Sequence, residues 1–192
     1  MANLPVDNQR YYANPVHAIP TWGEEGNVHM IVEVNKGTIT KYEIVTELGL
    51  LKLDRVGYSY LAYPFTYGEI PKTLDKDNDP LDIFLPFVTE PLIPGCLVEV
   101  RIIGVMEMID GGEQDDKIIG MVASDKRFDH IEKIEDLSPH FIKETKYFWE
   151  HYKDLKKPGT VQVGEFLGKD AAVEIINKAV ARYNNMLLPM VK

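Results

Sequence analysis

Asp77-Asn78-Asp79-Pro80-Leu81-Asp82 places three carboxylates within six residues, and a second acidic cluster follows at Asp110 and Asp115-Asp116. Carboxylates this close repel one another unless positive charge sits between them. A surface acidic run relieves the repulsion by pointing into water. Here Pro80 stiffens the segment, and Leu81, Ile83, Phe84 and Leu85 have the composition of a strand entering a core. Acidic groups at the mouth of a core suit hard cations, since Mg²⁺ takes oxygen ligands and keeps several waters. Phosphate-handling enzymes use such ions. A solvated acidic turn is the ordinary alternative for residues 75–82, because Asp and Asn favour turns.

An EF-hand is excluded. Asp75, Asp77 and Asp79 fit its first, third and fifth positions, but Pro80 replaces the required Gly and Pro86 stands where the bidentate Glu belongs. Strand patterns, not helices, flank the loop.

Cations and phenols surround the acidic clusters. Glu33, Lys41 and Glu43 fall on adjacent predicted strands, with Lys41 and Glu43 on one face by period-two alternation. Arg55 closes another strand, and Tyr63-Pro64 and Tyr67-Gly68 occupy a short turn-rich stretch. Residues 108–112 read as a hairpin tip, Lys117 begins the next strand, and Tyr152-Lys153 sits near the end of a long helix. Taken singly, each has an ordinary explanation: a strand-surface ion pair, a core aromatic, or a lysine complementing a helix C-terminus. The chain contains no G-x-x-x-x-G-K-[ST] loop and no G-x-S-x-G elbow. Its five histidines show no metal-ligand pairing at i, i+4, and Cys96 reads as a small core residue.

These residues need a scaffold. At 192 residues the chain is expected to form a single domain, 1–192, of mainly β structure with α. The net charge of -9 argues against nucleic-acid binding, which rests on surplus Lys and Arg. One cysteine excludes an internal disulfide framework and fits a reducing, cytoplasmic location. No apolar h-region and no stretch approaching about 20 apolar residues is present, so neither a secretory signal nor a membrane partner is expected.

Residues 1–26, rich in Pro and Gly, read as an irregular N-terminal arm. Short strands are predicted over 30–34, 38–45, 50–56, 81–87, 97–106 and 117–123, within a barrel spanning 28–124. Residues 138–185 form helices and a connecting segment. Ser138-Pro139 starts the first helix, Phe141, Thr145, Phe148, Tyr152 and Leu155 recur at helical spacing, and Pro158-Gly159 ends it. A second helix spans about Asp170 to Tyr183, with Ala172, Ile175, Ile176, Ala179 and Tyr183 on one face.

In order and spacing, these motifs resemble the soluble family I inorganic pyrophosphatases. The family signature D-[SGDN]-D-P-x-D stands here as Asp77 to Asp82. Around it lie Glu33, Lys41-Tyr42-Glu43, Asp54-Arg55, Tyr63-Pro64, Tyr67-Gly68, Asp110, Asp115, Lys117 and the run Glu150-His151-Tyr152-Lys153-Asp154-Leu155. The match covers roughly residues 15 to 167. Asn35 replaces a frequent proline, and Asp116 beside Asp115 leaves two carboxylates for one ligand position.

The resemblance implies an OB-like five-stranded β-barrel with two main packed helices, and Mg²⁺-dependent hydrolysis of pyrophosphate to two orthophosphates. It implies several ions per site, other divalent ions being admissible: Asp77, Asp82 and Asp115 on the tight one, Asp82 shared with a second, Asp110 and Asp115 on a third, and Glu33 near a further one. Asp79 is the expected base for the attacking water. Lys41, Arg55, Tyr67, Lys117, Tyr152 and Lys153 are expected on the phosphates, with Glu43 and Tyr63 in support. It also implies a homo-oligomer, a hexamer for bacterial-length relatives. Ions that share a water generate a strong nucleophile near neutral pH, so no covalent protein nucleophile is required. Two other classes make different predictions. An OB-fold oligonucleotide binder needs a basic groove with stacking aromatics, and a structural Ca²⁺-binding protein turns nothing over.

Overall fold

Val28–Val34 (β1) buries every residue except His29, which is half-buried, so it must be covered on both faces. In the structure, a computed structural model describing residues 14–186, four further strands provide that cover by closing a ring. β1 pairs antiparallel with Thr66–Glu69 (β4), and β4 with Asp82–Leu85 (β5). β5 runs parallel to Lys117–Val122 (β8), which pairs antiparallel with the 14-residue Leu97–Asp110 (β6). The start of β6 returns to β1 and completes a five-stranded barrel. The end of β6 also carries Glu113–Gln114 (β7) and Val161–Gly168 (β9).

Thr40–Val45 (β2) and Leu50–Val56 (β3) pair only with each other and stand outside the ring as a hairpin. Residues 50–53 of β3 are exposed on both faces. This corrects the expectation that all six predicted strands belong to the barrel. The ring takes β4 instead, from the stretch read as turns. Pro64 and Gly68 disguised it, yet all four of its residues are buried. A Cβ at Gly68 would collide with the Ile31 carbonyl, so glycine is what lets β4 lie against β1 between Tyr67 and Glu69.

Two cores flank the barrel. On one side Phe65, Phe84, Phe148 and Trp149 pack beneath Pro139–His151 (α2), with Phe65 stacked on Phe84 at 4.4 Å between centroids. On the other, Lys169–Met186 (α3) packs on β6 and β9 and shares one apolar cluster with Met30, Val32, Ile83 and Leu85. That helix buries Ala172, Ile176, Ala179 and Tyr183 on one face, with Ile175 at its edge. Each large apolar side chain buried this fully contributes roughly 1.5–3 kcal/mol of transfer free energy.

Ser138 caps α2 by accepting the His140 N–H, with Pro139 at the first helical position. The helix stops earlier than its apolar spacing implies. His151 is its last residue, Tyr152 the C-cap, and 152–157 form turns. Leu155, expected on the buried face, is 76% exposed. Pro158-Gly159 therefore lies beyond the end of the helix, and the connecting segment after it contains β9. The N-terminal arm is not wholly irregular. Asn14 caps the short helix Pro15–Ala18 (α1), and Glu24–Gly26 forms a 3-10 turn; residues 1–13 of the expected arm lie outside the described residues. Cys96 is half-buried against the α3-side core. Among the described residues no helix is long and apolar enough to cross a membrane.

Candidate active site

The acidic motif is a tight turn feeding β5. The Asp75 N–H donates to the Asp79 carbonyl at 2.7 Å, and the Asp79 N–H to Asp77 Oδ1 at 3.1 Å. Asn78 takes a left-handed φ of 72°, a conformation that Asn tolerates better than most residues. Asp77 and Asp79 are thereby presented to a cavity of about 380 Å³, and Asp82, as the first residue of β5, joins them. The cavity brings together every candidate from the sequence: Glu33, Lys41, Glu43, Arg55, Tyr63, Tyr67, Asp77, Asp79, Asp82, Asp110, Asp115, Lys117, Tyr152 and Lys153 all line it.

Parallel pairing of β5 with β8 sets Asp82 beside Lys117, because Ile83 faces Ile118. The buried Lys117 ammonium forms ion pairs with both Asp82 and Asp115. Burial works against that charge, but the two carboxylates outweigh it and hold Lys117 protonated above the usual lysine value. Asp115 is pushed up to about 6 by burial and by Asp82 and Asp77, despite Lys117. Asp116 turns the other way. It accepts from the Met108 N–H at 3.2 Å and Gln114 Nε2 at 2.6 Å, bracing the β7 hairpin, so Asp115 is the carboxylate that lines the cavity.

The β2–β3 hairpin lays two cations across the opening. Lys41 Nζ lies 3.4 Å from Glu43 and 3.9 Å from Asp54, while Arg55 pairs with Asp54 and sits 5.9 Å from the Tyr152 ring centroid. Its attachment to β1 is specific: Glu33 Oε1 accepts the Ile44 N–H at 2.7 Å. Burial, then repulsion from Asp82, raises Glu33 to about 8. Just past the end of α2, Tyr152 lies beside Arg55 of the hairpin, and Lys153 pairs with Asp110 at the end of β6. Burial pushes the Tyr67 and Tyr152 phenols above their ordinary value, so both remain hydrogen-bond donors at neutral pH.

An all-carboxylate donor set interleaved with ammonium groups fits hard divalent cations in chemistry. The arrangement is not a finished cage: among the described residues no three His, Cys, Asp or Glu side chains converge to hold an ion. Lys117 occupies the place between Asp82 and Asp115 where positive charge is demanded. A buried Glu69 carboxylate oxygen on the cavity wall also lacks a partner.

Glu69 and Trp149 line the cavity and were missed in the sequence. Glu69 follows Tyr67-Gly68. Recognising residues 66–69 as a strand places Tyr67 and Glu69 on one face. Trp149 was concealed among the core aromatics of α2, and its indole N–H is buried without a partner.

The five-stranded barrel thus carries a cavity in which carboxylates and cations are interleaved. The model of the inorganic pyrophosphatase family matches residues 30–184. The inorganic pyrophosphatase of Geobacillus stearothermophilus is 45% identical over 157 residues, covering 82% of this chain and 94% of that protein. Soluble inorganic pyrophosphatase 3 of Arabidopsis thaliana is 42% identical over 177 residues, covering 92% and 81%. The crystal structure of an inorganic pyrophosphatase from Neisseria gonorrhoeae aligns with a TM-score of 0.84 at 35% identity, covering 88% and 99%. The chain belongs to the inorganic pyrophosphatase family and is an enzyme, an inorganic diphosphatase.

Proposed function

We propose that this chain hydrolyses inorganic pyrophosphate to two orthophosphates, with Mg²⁺ as cofactor and water as the direct nucleophile. The observation that carries this is one cavity where Asp77, Asp79, Asp82, Asp110 and Asp115 face Lys41, Arg55, Lys117 and Lys153. Asp77, Asp82 and Asp115 would hold the tight ion, Asp110 a further one with Asp115, and Glu33 would support another. Bound there, Mg²⁺ supplies Lewis acidity, lowers the pKa of water and neutralises phosphate charge.

The chain's own residues do the rest. Asp79, held on the Asp77 turn, takes the proton of the attacking water. Lys41, Arg55, Lys117 and Lys153 bind phosphate oxygens and stabilise the charge that collects on the departing phosphate. Tyr67 and Tyr152 donate hydrogen bonds without adding charge. Glu43 orients Lys41 through their 3.4 Å pair. Tyr63, packed 4.7 Å from Phe148 between ring centroids, keeps α2 against the site. Among the described residues no Ser, Cys or His lines the cavity, in keeping with attack by water without a covalent intermediate.

We further place the enzyme in the cytoplasm as a homo-oligomer, a hexamer by family resemblance, with no nucleic-acid or membrane partner. The functional reading is tested by mixing protein, pyrophosphate and Mg²⁺. Two phosphates should appear per pyrophosphate, with no acid-stable phosphoryl group on the quenched chain. A trapped phosphoryl-enzyme would overturn direct attack, and absence of phosphate would overturn the activity.

A further inference from the structure

Glu69 is 4% exposed, yet among the described residues its Oε1 has no hydrogen-bond partner. It belongs to β4, where it pairs in register with Asp82 of β5 on one side and Ile31 of β1 on the other. Residues directly opposite in an antiparallel pair share a face, with Cβ atoms about 4.5–5.5 Å apart, and like charges there are destabilising. Two carboxylates thus stand side by side on the inner wall of the cavity, with Glu33 from β1 on the same lining. Lys117 pairs with Asp82 and Asp115, and the Ile44 N–H serves Glu33. Nothing serves Glu69 Oε1.

A buried polar atom without a partner forfeits its hydration with nothing in return and calls for a partner outside the protein. Gln at this position would keep the volume and remove the repulsion. The carboxylate is therefore informative. Burial, then the charges of Glu33 and Asp82, raises Glu69 well above the ordinary carboxylate value, so without an ion a proton relieves the repulsion; a cation bound there would displace that proton and supply the partner Oε1 lacks.

We propose that Glu69 is an additional cation ligand of this site, contributing with Asp82 to a divalent ion at the inner wall of the cavity. This rests on the pyrophosphatase reading above and extends it, since the ligands expected from family resemblance do not include Glu69. Glu69 acts as a positioning residue, through the ion, on how the site retains and orders its charge.

The test is ion binding by the intact chain without substrate, read with Mn²⁺ by electron paramagnetic resonance and with Mg²⁺ by calorimetry. Glu69→Gln should bind one ion fewer per chain, or weaken one site roughly 10–100-fold, the range seen when groups supporting a metal site are removed. Its metal-free melting temperature should equal or exceed that of the unaltered chain, while the rise produced by saturating Mg²⁺ should shrink. Identical isotherms and an identical Mg²⁺-induced rise would overturn the proposal, leaving Glu69 a protonated buried acid. Should Glu69→Gln fold poorly, Glu69→Asp decides the matter: a shortened ligand changes ion affinity, and unchanged affinity counts against the role. Asp82→Asn separates this from the functional reading. If it weakens ion binding and Glu69→Gln does not, only the Glu69 inference fails. Should the unaltered chain bind ions and release no phosphate from pyrophosphate, the activity fails instead.

Discussion

Lys153, two residues beyond the end of α2, forms an ion pair with Asp110, the last residue of β6. Helix and barrel are thereby joined at the rim of the cavity, and the helix must end at His151 for this lysine to turn inward. In the proposed reaction the same ammonium binds phosphate. Lys153→Met keeps the apolar stem and removes the charge. Loss of a charge-assisted hydrogen bond of about 1.5–3 kcal/mol lowers kcat/KM by roughly 10–150-fold. Steady-state kinetics with a circular dichroism control checks this; unaltered kcat/KM would remove Lys153 from the phosphate-binding set.

Asp79 and Asp82 are separated in role although they lie three residues apart. Asp79→Asn should reduce turnover by on the order of 10²–10⁴-fold and leave Mg²⁺ affinity largely intact, as expected for loss of a general base. Asp82→Asn should weaken Mg²⁺ binding as well. Calorimetry showing equal loss of affinity in both variants would contradict the assignment.

Arg55 bears on geometry more than charge. It is oriented by Asp54 and lies 5.9 Å from the Tyr152 ring centroid, a setting suited to a planar guanidinium. Arg55→Lys keeps the charge and loses the fork that can hold phosphate through two parallel hydrogen bonds. We expect kcat/KM to fall by roughly tenfold or more, about 1.4 kcal/mol. Lys126→Ala, at an exposed cation away from the cavity, should leave it unchanged. Equal behaviour of the two variants would show that Arg55 contributes charge alone or nothing.

The carboxylates were legible in the sequence because clustered acid beside Pro80 and an apolar run has few inexpensive structures. The start of α2 was legible for a similarly local reason, since Ser138-Pro139 supplies both a cap and a preset φ. What escaped depends on distant partners. β4 hides behind Pro64 and Gly68, and its glycine makes sense only against the Ile31 carbonyl. β9 follows Pro158-Gly159 and includes Gly164 and Gly168, so turn signals mask the inward alternation of Val161 and Val163. The role of β2 and β3 as a hairpin outside the ring cannot be read from alternation, which says that a strand exists and not what it pairs with. Glu69 was invisible as long as β4 was.

Stability carries its own pH signature, in the contact between α1 and α3. His17 Nδ1 lies 2.8 Å from the Tyr183 hydroxyl and ties α1 to α3. Burial lowers the His17 pKa below its ordinary 6.5, against smaller opposing contributions from Thr46 and Glu47. The unfolded chain therefore takes up this proton first as pH falls, so the stabilisation is present above about 6.5 and is lost on going through the lowered native value. Melting temperatures between pH 7.5 and 5.5 should fall more steeply for the unaltered chain than for His17→Gln. Parallel profiles would mean that His17 titrates alike folded and unfolded.

In the proposed reaction the acidic cavity hydrolyses pyrophosphate only when divalent cations answer its carboxylates. Phosphate release from pyrophosphate, followed in Mg²⁺, then in excess chelator, then after Mg²⁺ is restored, tests it most directly. We predict rapid release, near-complete loss in chelator and recovery on restoration; release that persists in chelator, or is absent with every divalent ion tried, would contradict the account.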